Sequence, residues 1–172
     1  MSETLYRLIR DVQDFPKPGI LFRDITPILL DPAALREAVD GLVGPLRDRG
    51  ITKVAAIESR GFLLGAPVAL SLGIGLALIR KPGKLPAGCH RVDYQLEYGS
   101  DGLEVHTDAL GTGDKVIVLD DVLATGGTAA AAGQLVERTG AEVAGYSFLI
   151  ELAALGGRKR LGSMPVDALL KY

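Results

Sequence analysis

Two adjacent carboxylates, Asp120 and Asp121, stand just ahead of Ala124-Thr125-Gly126-Gly127-Thr128 in the stretch VIVLDDVLATGGTAAAAG, residues 116–133. The glycine-hydroxyl segment has the makings of an anion site. Its glycines let the backbone come close to a ligand, and the helix after it begins with exposed amides and the positive end of its dipole. Thr125 and Thr128 add hydroxyl donors. Carboxylates beside such a site would repel the anion unless they bind something else. Sugar hydroxyls and Mg2+ are the natural candidates, because carboxylates accept from hydroxyls and suit hard cations. A ligand with a sugar between a phosphate and a metal-bound group would satisfy the whole stretch. A plain strand–turn–helix would explain the glycine pair alone, but not the acidic pair.

Other chemistries find less support. No G-x-x-x-x-G-K-[ST] loop occurs, because Gly83-Lys84 is followed by Leu85 and has Leu78 where the first glycine belongs. Gly111-x-Gly113 reaches Val116 where a dinucleotide loop needs its last glycine. The single cysteine, Cys89, excludes an intrachain disulfide, and His90 and His106 have no zinc-ligand spacing. Cys89 and His90 adjoin, whereas nucleophile and base are normally distant in sequence.

Something must bring these residues together. KVAAIE (residues 53–58), GLALI (75–79), KVIVLD (115–120) and EVAGYSFLIE (142–151) read as strands, and residues 62–72 and 128–139 as helices. A further helix starts at Pro32 with Asp31 as its N-cap. Continuous apolar strands alternating with helices predict a parallel sheet covered on both faces. Each strand runs into polar residues: Ser59-Arg60-Gly61, Arg80-Lys81, Asp120-Asp121 and Glu151. In a parallel sheet these ends share one edge, and ligands bind in the crevice beyond it. That predicts Arg60, Arg80, Lys81, Asp120 and Asp121 in one crevice. Residues 82–100, PGKLPAGCHRVDYQLEYGS, break the pattern. So long a polar connection is expected to be a functional lid or disordered, with a hairpin flanking residues 99–102 at its end.

Composition fits this picture. The 172 residues allow one domain with a real core, and 48% of them are hydrophobic. With 19 basic and 21 acidic residues the net charge is −2, which gives nucleic acid no general attraction. The N-terminus lacks a signal-peptide pattern, so a cytoplasmic location is expected. Residues 62–79 carry no charge, but glycines and Pro67 interrupt them. They are expected to be helix, turn and strand rather than a membrane span.

The stretch VIVLDDVLATGGTA resembles the phosphoribosyl-diphosphate motif of type I phosphoribosyltransferases. FPKPGILFRDITPIL, ESRGFLLGAPVA, IRKPGKLP…YQLEYG and the tail LIELAALGGRKRL are similar to the adenine-specific members, collinear over essentially the whole chain. AGCHRVD, in the middle of residues 82–100, departs from the family pattern. The resemblance implies an α/β fold with a mostly parallel central sheet flanked by helices, a small N-terminal hood over residues 1–30 and a flexible lid over about 82–100. It implies transfer of phosphoribosyl from 5-phosphoribosyl 1-diphosphate to adenine, giving AMP and pyrophosphate, with Mg2+.

It also implies residue roles. Ala124, Thr125, Gly126, Gly127 and Thr128 would cradle the 5-phosphate. Asp120 and Asp121 would hold the ribose hydroxyls and meet the metal indirectly, through ligand and water. Ser59, Arg60, Arg80, Lys81 and Lys84 would serve the diphosphate, with Arg80 reaching across a homodimer. A non-proline cis peptide is expected near Ser59-Arg60. Adenine would lie between Phe22 and Leu152, its edge read by backbone groups near Leu21 and Arg23. Glu97 would be the acid/base residue, beside Arg60 and Tyr98 in the catalytic set. Two other readings share the motif: a transferase for another purine base, and a non-catalytic phosphoribosyl-diphosphate sensor that regulates transcription. FRDITP and LEYG argue against the first. The acidic balance and the presence of Lys84 and Glu97 argue against the second.

Overall fold

A computed structural model describes residues 3–95 and 100–172. The chain runs α1 (Glu3–Leu8), β1 (Arg10–Val12), β2 (Phe22–Asp24), α2 (Thr26–Leu30), α3 (Pro32–Val43), β3 (Lys53–Ile57), α4 (Arg60–Leu72) and β4 (Gly75–Ile79). It continues through β5 (Cys89–Gln95), β6 (Ser100–His106), β7 (Lys115–Leu123), α5 (Gly127–Arg138), β8 (Glu142–Glu151) and β9 (Val166–Lys171). Short 3-10 turns occupy Gly44–Leu46, Ala153–Leu155 and Gly157–Leu161.

The central sheet has five parallel strands in the order β4-β3-β7-β8-β9. Both faces are covered, so β3 and β8 and the first half of β7 are largely apolar. Successive side chains of β3 point to opposite faces, which divides the core in two. Val54 and Ala56 pack with residues of α3 and α4, such as Val39 and Leu64. Ala55 and Ile57 pack with α5 and with Val92 and Leu103 of the β5–β6 pair. α3 starts as its sequence dictates: the Asp31 carboxylate accepts from the amides of Ala33 (2.8 Å) and Ala34 (3.0 Å), and Pro32 needs no partner.

β4 and β8 keep the bounds expected from sequence. β7 runs on to Leu123, so Asp120 and Asp121 lie within the strand and not past its end. β9 had no counterpart in the sequence reading. The hairpin expected at the end of residues 82–100 begins earlier, at Cys89, and pairs Cys89 with His106 through to Gln95 with Ser100. Strand alternation sends Cys89 and His90 to opposite faces. The uncharged run 62–79 is most of α4, a left-handed turn at Gly73 (φ 68°) and β4. Among the described residues no helix is long and apolar enough to cross a membrane. Ahead of the sheet, β1 and β2 form a separate antiparallel pair.

Candidate active site

β7 and α5 meet in a cradle of about 90 Å³ lined by Asp120 and by residues 122–129. Gly126 is left-handed (φ 82°), a conformation that costs an L side chain but not glycine. It also has no room for one, since a Cβ would overlap the carbonyl of Gly157. A Cβ on Gly157 would in turn overlap the carbonyl of Ala124. Two backbone segments thus touch directly, and the turn Gly157–Leu161 buttresses the cradle from behind. That turn is pinned by Arg158, whose guanidinium donates to both oxygens of the buried Glu151 (2.6 and 2.8 Å) and to the carbonyl of Val166 (2.7 Å). The pair holds Glu151 below the ordinary carboxylate range despite burial. Arg160, on the same turn, places Nη1 3.2 Å from where a Cβ of Gly127 would be. No carboxylate partner for it occurs among the described residues. Sequence reasoning gave Glu151, Gly157, Arg158 and Arg160 no role. Their contribution is steric and tertiary, and the tail motif LIELAALGGRKRL was its only trace.

Asp120 lines the cradle from β7, and Asp121, next on the strand, points to the other face. Asp121 is buried and pairs with the guanidinium Nε of Arg60. Asp120 accepts from the amide of Asp121 (2.8 Å). Burial pushes the Asp120 carboxyl well above its usual range, the adjacent Asp121 carboxylate adds to this, and Arg60 opposes it. Gly61 lets the start of α4 approach: a Cβ there would lie 3.0 Å from Asp120 Oδ1. Among the described residues no three metal-ligating side chains converge. A cation here would therefore depend on oxygens of a ligand, with Asp120 and Asp121 alongside, and it would relieve the repulsion between them.

The strand ends converge as expected from sequence. Arg60 opens α4, after the exposed Ser59. The non-proline cis bond is Glu58–Ser59, one residue before Ser59-Arg60. Arg80 donates to the Glu58 carboxylate from Nε (3.2 Å) and Nη2 (3.4 Å), and to the carbonyl of Lys84 (3.1 Å). The amide of Lys81 also donates to Glu58 (3.0 Å). Burial alone would raise the Glu58 carboxyl, but the Lys81 amide and Arg80 outweigh it and hold it low. The Lys81 ammonium is not a free cation. It pairs with Asp101 and donates to the hydroxyl of Tyr94 (3.2 Å), which raises its pKa against the pull of desolvation. Lys84 is exposed. Glu97 and Tyr98 lie outside the described residues.

A second cavity, about 330 Å³, opens on the other side of Arg60, lined by Val12, Phe15, Phe22, Asp24, Thr26 and Arg60. Phe22 meets Phe15 edge-on (5.1 Å, 73°), and the Arg60 guanidinium lies 5.2 Å from its ring centroid. Leu21 is half-buried just before β2. The Arg23 side chain turns away, pairing with Asp11 and stacking on Tyr172 (4.1 Å), which leaves its backbone on the strand. Leu152 does not line this cavity. Its amide donates to Leu123 (2.9 Å), and its side chain joins the α3–α4 core with Phe62 and Val122.

An anion cradle, an acidic pair and an arginine stand together at the carboxyl edge of this sheet, an arrangement that suits a phosphorylated sugar. Residues 29–168 match the phosphoribosyl transferase domain, and the chain belongs to that family, with its type I fold. An adenine phosphoribosyltransferase from Anaeromyxobacter dehalogenans is 55% identical over 172 residues, the whole of both chains. The crystal structure of adenine phosphoribosyltransferase from Thermoanaerobacter pseudethanolicus superposes with a TM-score of 0.97 at 47% identity, covering 99% of each chain. That from Saccharomyces cerevisiae, complexed with an imino-altritol bisphosphate and adenine, gives 0.92 at 41% identity and 97% coverage of each. Within the family, the chain belongs with the adenine phosphoribosyltransferases.

Proposed function

We infer that this chain transfers the phosphoribosyl group of 5-phosphoribosyl 1-diphosphate to adenine, releasing AMP and pyrophosphate. The observation that carries the reading is the position of Arg60, between the acidic pair beside the cradle and the aromatic cavity at Phe22. The relatives' names supply the base.

The 5-phosphate is held by the amides and hydroxyls of residues 124–128 at the start of α5. The ribose hydroxyls donate to Asp120 and Asp121. Arg60 serves the diphosphate, with Ser59, Arg80 and Lys84 along the same edge. Asp120 and Asp121 would hold Mg2+ indirectly, through ligand and water, and the ion would supply charge neutralisation for the diphosphate. Adenine rests against Phe22, under the hood formed by residues 1–30, with the backbone near Leu21 and Arg23 reading its edge. Glu97 takes the ring proton as the base attacks, since a carboxylate on a closing segment suits that transfer. Tyr98 helps the lid of residues 82–100 exclude water, which would otherwise capture the cationic sugar.

The chain acts in the cytoplasm as a homodimer. Leu63 and Leu70 on α4, and Leu76 and Leu78 on the edge strand β4, are exposed large apolar residues, and Leu70 is 83% exposed. An apolar surface beside a sheet edge suits a second copy. Arg80 directly follows that strand, near enough to the interface to serve the neighbour.

AMP formation from adenine, with and without Mg2+, tests the reading. Hypoxanthine used as well as adenine would overturn the base assignment.

A further inference from the structure

Tyr94, on β5, opens the stretch YQLEYG and reaches the cradle, although the sequence alone gave it no role. Its hydroxyl lies 3.3 Å from Thr128 Oγ1, 3.3 Å from Asp101 Oδ2 and 3.2 Å from Lys81 Nζ. Proton counting limits what these contacts can be. A phenol has one proton, so it cannot donate to Asp101 and to Thr128 together. Lys81 only donates, so the Tyr94 oxygen accepts from it. Asp101 does not depend on Tyr94, because it also receives Lys81 Nζ and the amide of Gly102 (2.8 Å). An ionised phosphate in the cradle is rich in acceptor oxygens, so Thr128 meets it by turning its own proton toward it. The threonine oxygen then needs a donor behind it, and Tyr94 is the hydroxyl in place.

We propose that Tyr94 is a positioning residue for phosphate binding: it donates to Thr128 Oγ1 and so fixes the Thr128 proton on the ligand's 5-phosphate. Lys81, itself fixed by Asp101, donates to the phenol oxygen and holds it in place. Val92 and Leu103, buried on the inner face of the same strand pair, keep β5 against the α5 side of the core. The role rests on the proposed function, since Thr128 must face a phosphate for it to matter. It also assigns Lys81 to this cluster, where sequence alone placed it on the diphosphate.

The test compares the wild type with Tyr94→Phe, Thr128→Val, Thr128→Ser and the Tyr94→Phe double variants of each. Tyr94→Phe is expected to raise KM for phosphoribosyl diphosphate by about five- to tenfold, the loss of one hydrogen bond to a charged ligand network. KM for adenine should stay within about twofold, because that substrate brings no phosphate to the cradle. AMP affinity, by calorimetry, should fall with it, and adenosine affinity should not. In the Thr128→Val background the tyrosine change should add nothing, whereas in Thr128→Ser its effect should persist. Additive effects with Thr128→Val, equal losses for AMP and adenosine, or an unchanged KM would overturn the proposal. A wild type that makes no AMP would overturn the functional reading instead, and this proposal with it.

Discussion

Around the phosphate cradle, backbone presses on backbone: Gly126 and Gly157 leave no space for a methyl, and Glu151 and Arg158 lock the second segment to the sheet. Around Phe22 the walls are a pair of rings and one guanidinium, standing on a two-stranded sheet of short strands, with a cavity several times larger between them. The two halves meet at Arg60. The difference matches their tasks. A phosphate is the same small tetrahedral group on substrate and product, so a fixed cradle suits both. A flat base must enter and leave, and a surface of few side chains permits that.

The two halves should respond separately to mutation. Both walls only hold substrates, and the reading leaves proton transfer to Glu97. Glu97→Ala should lower kcat by about 10²–10⁴-fold with both KM values nearly unchanged. A loss confined to KM would make Glu97 part of one wall. Gly157→Ala should cost about 1–3 kcal/mol of overpacking and show mainly as a KM for phosphoribosyl diphosphate raised roughly 10- to 100-fold, at that same strain. If KM for adenine rose as much, the halves would not be separate. Phe22→Ala should do the converse, raising KM for adenine by up to about tenfold through lost ring contact, with the phosphate side intact. The smallest effect is on stability. Because the Asp120 carboxyl titrates above its unfolded value, its charge destabilises the fold at neutral pH and not in acid. Asp120→Asn should therefore raise Tm at pH 7 while abolishing turnover. The gain should shrink as pH falls and vanish below about 4, where the carboxyl is protonated in both folded and unfolded chains. A Tm gain that does not vary with pH would assign it to something other than charge.

The rigid half was also the more legible in sequence. Residues 120–128 announce their chemistry because backbone conformation and charge are written locally, in glycines, threonines and carboxylates. The strands β4 and β8 are continuous apolar runs, and Asp31-Pro32 starts a helix by itself. What stayed hidden was long-range. Gly157 is an unremarked glycine until its carbonyl is seen against Gly126. β9, six residues after a proline, is too short and mixed to stand out, and it becomes a strand because β8 offers an edge. β5 carries His90, Val92 and Tyr94 on one face, and so polar a run hid its alternation until β6 was paired with it. The base half was read from resemblance, because two short strands and two phenylalanines carry little pattern of their own.

Arg60 touches both halves, and this has a thermodynamic consequence. Its Nε is committed to Asp121 while its guanidinium plane lies over Phe22. A diphosphate that draws the guanidinium toward itself changes what the ring beside it presents to a base. The two substrates are then linked, and linkage is mutual. Whatever factor a bound diphosphate analogue contributes to adenine affinity, adenine must return to the analogue. An Arg60→Lys variant, which keeps the charge but loses the plane, should uncouple the two.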